Sequence, residues 1–372
     1  MKELLGLAML RGVRRVNERT VLVEFSQPME ITSTVPALEV GGDFTDYVEG
    51  LIFYTVPKNF EEGDMLSFYE EILRSTDLKR GIVFITAVPI DKLRHIALDG
   101  NLHIFATIGL SPPTCIKTSN LYEPLTISTI NIAIAVNYPL TRSAMIDLLR
   151  VVAEAKAIAT SDSLLRCESR SSGTVTDAIA ILKPFNMGNE ILFAGMNTTI
   201  GNKVAKAVHK MIVAEAVARE INDVLKDVLG HNIEELVELF LKVYRQSPIP
   251  GVPEDAIREE ACKLLKQFFR DPNVWSFLIA SRELDLHGSS GTIPGLSEEE
   301  FAEDSKKIVA DELLGMSLAT YLAGSKAVLS MYWVEKLKES RVVEHWKSNM
   351  FEDDIISALI ASLLTRILDE YM

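Results

Sequence analysis

The run Gly173-Thr174-Val175-Thr176-Asp177-Ala178 sets two hydroxyls beside one carboxylate, and Ala194-Gly195-Met196-Asn197-Thr198-Thr199 follows it in the chain. Hydrolysis of an amide needs an activated water or nucleophile together with donors for the oxyanion. Thr174, Thr176 and Asp177 are candidates for the first task. Gly195, Asn197 and Thr198 are candidates for the second, because Gly195 and Gly201 permit backbone conformations closed to other residues and can turn N–H groups toward a ligand at a helix start. Thr and Asp in such turns also serve simply to satisfy backbone donors, and that reading stands beside the chemical one. Asn131, Glu154 and Lys156 are further polar groups abutting apolar runs. Glu154 and Lys156 are two apart on a helix, so they do not face each other.

The second half of the chain sets acids against apolar runs. Asp304 and Asp311 are seven residues apart and are expected on one face of a single helix, with Glu300 near the same stripe. Asp311 and Glu312 lead straight into LLGMSLA, and Asp353 and Asp354 into IISALIASLL. Acids buried near one another require a metal or a base. An oxygen-rich set of this kind suits Mg2+ or another divalent cation. Asp353 and Asp354 also fit a helix start, where carboxylates are favoured. Glu283, Asp285 and His287, in RELDLHG, read as a solvated helix end.

These residues need elements to hold them. Strand-like runs rich in β-branched and aromatic residues occur at 20–25, 81–88, 102–110 and 130–137, with two more at 178–182 and 191–195 separated by a turn. A helix starts at Thr141, its expected N-cap, and a second long helix is expected from after Gly201 to Gly230. Beyond Gly230 only helical segments follow. The fold class expected is therefore two domains: an α/β sheet domain with flanking helices over residues 1–226, and an all-α helical bundle over 227–372. The charge changes at the same seam: the formal net charge of −14 divides into −3 for residues 1–226 and −11 for 227–372. An acidic balance without a basic patch speaks against nucleic acid as a partner. Residues 313–334 are long and apolar enough to span a bilayer, but Gly324, Ser325 and Lys326 near the middle favour two shorter buried helices. The start MKELLGLAMLRGVRR lacks the features of a secretory signal, and the cytoplasm is expected. Cys115, Cys167 and Cys262 show no CxxC spacing and are expected as small buried hydrophobes rather than as a disulfide framework.

The segments FATIGLSPP, INIAIAVNYPLTRSAMID, EAKAIA, GTVTDA and AGMNTTIG occur in the order in which they stand in the adenosylcobinamide amidohydrolases, and the chain resembles that family over roughly its first 225 residues. Ser172 and Ser128 stand where the family pattern has threonine and glycine. The resemblance implies cleavage of the amide joining the aminopropanol arm to the corrin ring of adenosylcobinamide. Over roughly the last 140 residues, ELDLHGSSGTIPGLSEEEF, VADELLGM, YLAG and FEDDIISALI resemble the α-ribazole phosphatases, relatives of the phosphatidylglycerophosphatase A family. That implies a metal-dependent phosphatase acting on α-ribazole 5′-phosphate, with Asp311, Glu312, Asp353 and Asp354 as metal ligands, to which the spacing adds Asp304, and with Lys338 as the phosphate-binding residue. Tyr332 to Glu339 departs from the family's Arg-Phe-Asp-x-x-Lys-Pro pattern, keeping Glu335 and Lys338. Together the resemblances imply a bifunctional hydrolase of cobamide salvage with small-molecule substrates. A non-catalytic helical module, an oligomer and a corrinoid carrier without turnover remain open alternatives.

Overall fold

The computed structural model describes residues 9–116, 129–304, 307–343, 346 and 348–371; Ser128 lies outside them. Two compact units divide the chain, Met1–Ala218 and Arg219–Met372.

In the first unit the β-branched runs become strands of one mixed sheet. Its members are β1 (Leu10–Arg15), β2 (Thr20–Ser33), β3 (Ala37–Glu39), β4 (Tyr47–Thr55), β5 (Arg80–Thr86), β6 (Arg94–Leu98), β7 (Leu102–Ile108), β9 (Ile130–Val136) and β11 (Ala178–Pro184). The order is β3-β5-β4-β2-β11-β9-β7-β6, with β1 added alongside β2. Two short strands, β8 (Pro113–Cys115) and β10 (Ser171–Thr174), pair separately. β9 and β11 run parallel, joined through α2 (Arg142–Asp162), which starts at Thr141 as expected: its hydroxyl accepts from Ala144 N.

Alternation along the strands decides what each face does. Ile130, Ile132, Ile134 and Val136 of β9 bury against α2 and α3 (Thr199–Val217). Ala133 and Ala135 face the opposite way, into a core with Phe53, Phe84 and Phe105. The sheet curls around this second core far enough for Asn131 of β9 to donate from Nδ2 to the carbonyl of Ile85 on β5, with three strands between them in the order, at 2.9 Å. α1 (Met65–Arg74) covers part of the outer face through Ile72 and Leu73.

Three expectations change here. The single long helix after Gly201 is two: α3 stops at Val217 and α4 (Ile221–Leu229) begins after Glu220, whose backbone is extended, although Gly230 does cap α4 in the left-handed conformation. Residues 191–195 form no strand, only an isolated bridge from Ile191 to Leu140. Cys115 and Cys167 are joined by a disulfide across a separation of 52 residues. Antiparallel pairing of β8 with β10 sets Cys115 opposite Ser171 and so draws the two thiols together, a contact that local spacing does not encode. Replacing both cysteines by serine is expected to destabilise this unit by about 4 kcal/mol, the chain-entropy value for such a loop. Denaturant midpoints under oxidising conditions measure it.

The second unit is helical: α5 (Ile233–Tyr244), α6 (Glu254–Phe268), α7 (Pro272–Gly288), α8 (Glu298–Ala302), α9 (Ala310–Ala323), α10 (Ser325–Glu339) and α11 (Met350–Tyr371) follow α4. α11 is buried on nearly every side from Met350 to Thr365, with Glu352 and Asp354 among its buried residues. The apolar stretch at 313–334 is broken at Gly324, where φ is +75°, so α9 and α10 form separate helices. No helix among the described residues is long and apolar enough to cross a membrane.

Candidate functional site

In the first unit the candidate residues separate into two polar groups. One sits where β9 and β11 begin, side by side and parallel. Asp177 accepts from Ile130 N at 2.8 Å, from Thr174 N at 2.9 Å, from the Thr174 hydroxyl and from the Lys156 ammonium. Lys156 comes from α2, so a single carboxylate ties β9, β10 and α2 together. Gly173 fits beneath this group only without a side chain: its φ is +153°, and a Cβ would fall on Asp177 Oδ2 and Lys156 Nζ. The Thr176 hydroxyl lies 2.6 Å from that of Thr129. Thr174 and Thr129 are buried. Thr129 was missed by inspection of spacing, because the parallel pairing of β9 and β11 is what brings residue 129 to residue 176.

The other group lies at the start of α3. Thr198 is its N-cap, accepting from Gly201 N at 3.1 Å and donating to the Gly195 carbonyl at 2.8 Å. Gly201 must be glycine, since a Cβ there would lie 2.1 Å from that carbonyl oxygen. The N–H groups expected to receive an oxyanion already have an anion. Ala194 N donates to Asp147 Oδ2 at 3.0 Å and Gly195 N also reaches Asp147, and with Arg150 beside it the Asp147 carboxyl is held below its usual range. The fold itself thus uses Gly195 and Thr198, while Asn197 is exposed beside them. Glu154 pairs with Arg150 at 2.7 Å, away from Lys156, as their spacing required.

Asn131 belongs to neither group. It points into the curled sheet, 1% exposed, and its Oδ1 has no hydrogen-bond partner; Thr107, opposite it on β7, has an equally unpartnered buried hydroxyl.

The second unit concentrates its acids where α9, α10 and the start of α11 meet. Asp311, Glu312 and Asp354 have carboxylate oxygens within 4.8 Å of one another, as do Glu335, Asp353 and Asp354. Gly315 lets α9 approach α11: a Cβ there would lie 3.0 Å from the carbonyl oxygen of Asp354, and Gly315 is one turn beyond Asp311. Burial, together with the neighbouring Glu312, pushes Asp311 up to about 7. Burial, then Glu335, Asp311 and Asp353, push Asp354 up to about 8. Asp311 Oδ1 is buried with no hydrogen-bond partner. Carboxylates so crowded are short of positive charge.

Asp304 does not join them. α8 ends at Ala302, Asp304 follows in an exposed turn with φ +54°, and α9 starts only at Ala310, so the seven-residue spacing spans no common helix. Asp353 and Asp354 lie within the first turns of α11, inside the unit rather than at a solvated cap. Lys338 is likewise internal, 1% exposed. Its ammonium donates to Asp353 and to Ser357 at 3.0 Å and forms an ion pair with Glu335 at 2.8 Å. Asp285 corrects another expectation. Far from marking a solvated helix end, it is fully buried and accepts from Phe351 N and Glu352 N at 2.9 Å each, fixing the start of α11.

One similarity to known proteins is located almost wholly within the first unit. A family model described as adenosylcobinamide amidohydrolase, CbiZ, matches residues 7–223. An uncharacterized protein of Methanocaldococcus jannaschii is 28% identical over 116 residues, which cover 31% of this chain and 88% of that protein. A second uncharacterized protein of the same organism is 31% identical over 98 residues, 25% of this chain and 38% of its own length. Solved structures with some similarity include the low temperature requirement C protein of Listeria monocytogenes, at 21% identity over 40% of this chain and 93% of that one, with a TM-score of 0.33. A protein of unknown function from Bacillus stearothermophilus aligns at 19% identity over 42% and 98%, also with a TM-score of 0.33. The family model runs through more than half of the chain, including the elements that bring Lys156, Thr174 and Asp177 together, and the chain belongs to the adenosylcobinamide amidohydrolase family.

Proposed function

We propose that the chain is a bifunctional hydrolase of cobamide salvage. The first unit cleaves the amide between the aminopropanol arm and the corrin ring of adenosylcobinamide: water adds, the C–N bond breaks, and adenosylcobyric acid and the free amino alcohol leave. Family membership over residues 7–223 carries this reading. We assign the chemistry to the group around Asp177. There the Thr174 hydroxyl is oriented on a carboxylate whose other oxygen is held by Lys156, a hydroxyl, acid and ammonium arrangement suited to activating an oxygen nucleophile.

The second unit, in the same reading, removes phosphate from α-ribazole 5′-phosphate with a divalent cation. The observation that supports a cation is the orphaned Asp311 Oδ1, buried among acids whose protons burial and mutual repulsion retain. Asp311, Glu312 and Asp354 would hold it, an all-oxygen set that fits magnesium. When bound, such an ion polarises a phosphoryl oxygen. The protein's own contribution is to fix the acids, through Gly315 on α9 and through Asp285 at the start of α11.

Purified chain is incubated separately with adenosylcobinamide and with α-ribazole 5′-phosphate, with magnesium and with a chelator. Adenosylcobyric acid and inorganic phosphate are the expected products, and chelation is expected to stop phosphate release. If neither product forms with magnesium present, the reading is wrong. Amide cleavage without phosphate release would instead make the helical unit a non-catalytic module.

A further inference from the structure

The acids of the second unit form two overlapping groups that share Asp354, Asp311–Glu312–Asp354 on one side and Glu335–Asp353–Asp354 on the other. Two carboxylate groups joined by a shared residue are the usual frame of a site for two metal ions a few ångströms apart. Only one of these groups already has a cation. The Lys338 ammonium lies within the second, bonded to Asp353, Glu335 and Ser357, and the Trp346 ring lies 5.5 Å from its nitrogen. Ser357 is itself fixed by Trp346, whose Nε1 donates to it at 3.1 Å. Among the described residues, none forms an ion pair with Asp311, Glu312 or Asp354. Asp311 Oδ1 in the first group and Glu335 Oε1 in the second are both buried without a hydrogen-bond partner, but only Glu335 has an ammonium beside it, at 2.8 Å.

We propose that Lys338 is a built-in cation that occupies one half of a two-ion frame and confines this unit to a single divalent ion at Asp311, Glu312 and Asp354. The inference rests on the divalent-cation reading above. A second ion at Glu335 and Asp353 would have to displace a buried ammonium from its acceptors and leave it unpaired, which is strongly unfavourable. The ammonium supplies one positive charge where a metal would supply two, and it cannot be removed by a chelator.

Binding of Mn2+ to the full chain is counted by equilibrium dialysis with electron paramagnetic resonance of the free ion, taking the Asp311→Asn/Asp354→Asn double variant as the baseline. The unaltered chain is expected to bind one ion above that baseline, and Lys338→Met two. Two ions in the unaltered chain, or one in a folded Lys338→Met, overturns the proposal. A second pair of variants avoids disturbing the lysine: Asp353→Asn is expected to keep the ion within about threefold of its affinity, whereas Asp311→Asn weakens it by at least about tenfold. Equal losses in both overturn the proposal. No ion above baseline in the unaltered chain overturns the divalent-cation reading, and this inference with it.

Discussion

Replacing Asp177 by alanine is expected to lower amide cleavage by at least about 100-fold, because one side chain is the common acceptor for two backbone N–H groups, the Thr174 hydroxyl and the Lys156 ammonium. The Asp177 and Lys156 side chains are 10% and 13% exposed, so removing the acid strands a largely buried charge. Breaking such a pair costs about 3–5 kcal/mol, enough to threaten the unit's stability as well as its chemistry. Thr174 separates the two effects. Thr174→Val keeps the shape and loses the hydroxyl, at about 1 kcal/mol of stability, and is expected to lose activity on the order of 100-fold. Thr174→Ser restores the hydroxyl and should recover most of it. Circular dichroism and product formation measured on the same preparations check this. A folded Thr174→Val variant with full amidohydrolase activity would move the chemistry elsewhere.

The second large effect belongs to Asp354, the carboxylate common to both acid groups. Asp354→Asn is expected to lower phosphate release from α-ribazole 5′-phosphate by about 100-fold or more and to leave amide cleavage unchanged, since the carboxylates and hydroxyls of the first unit lie in a separate compact body. The same substitution has a readout independent of turnover. A ligand at 100 times its dissociation constant stabilises the folded form by about 2.7 kcal/mol, so saturating magnesium should raise the melting temperature of the unaltered chain and not that of Asp354→Asn. Undiminished phosphate release by the variant would rule this site out.

Local pattern made much of this legible. The β-branched runs gave β2, β5, β7 and β9, and Thr141 and Gly230 marked helix ends because capping is a short-range interaction. β4 was not read, since Glu49 and Gly50 interrupt its apolar alternation and the burial of Leu51, Ile52 and Phe53 on both faces is decided by its neighbours. The break between α3 and α4 falls at Ala218, Arg219 and Glu220, residues with good helical propensity. It is settled by contacts further on, such as Asn222 Oδ1 accepting from Ile233 N. The same limit governed the sites. Acid-rich helix starts were visible at Asp311 and Asp353, but periodicity carried straight through Val309 and wrongly set Asp304 on the same helix. That Lys338 faces inward rather than toward a substrate depends on Glu335, Asp353 and Ser357 converging from two helices, which a linear pattern cannot display.

The position of β2 in the sheet has a consequence for the chain as it leaves the ribosome. Its first half gains partners early, from β1 and β4, but the stretch from Met29 to Ser33 pairs on its other side with β11, which begins only at Ala178. At about 5–20 residues per second, that edge waits several seconds to half a minute for its partner. During this interval a strand edge with unpaired backbone groups, carrying Met29 and Ile31, is open to any other chain. Nascent or truncated forms ending before β11 are thus the ones most in need of a chaperone, and the first unit cannot become a closed body until the residues bearing Thr174 and Asp177 have been made.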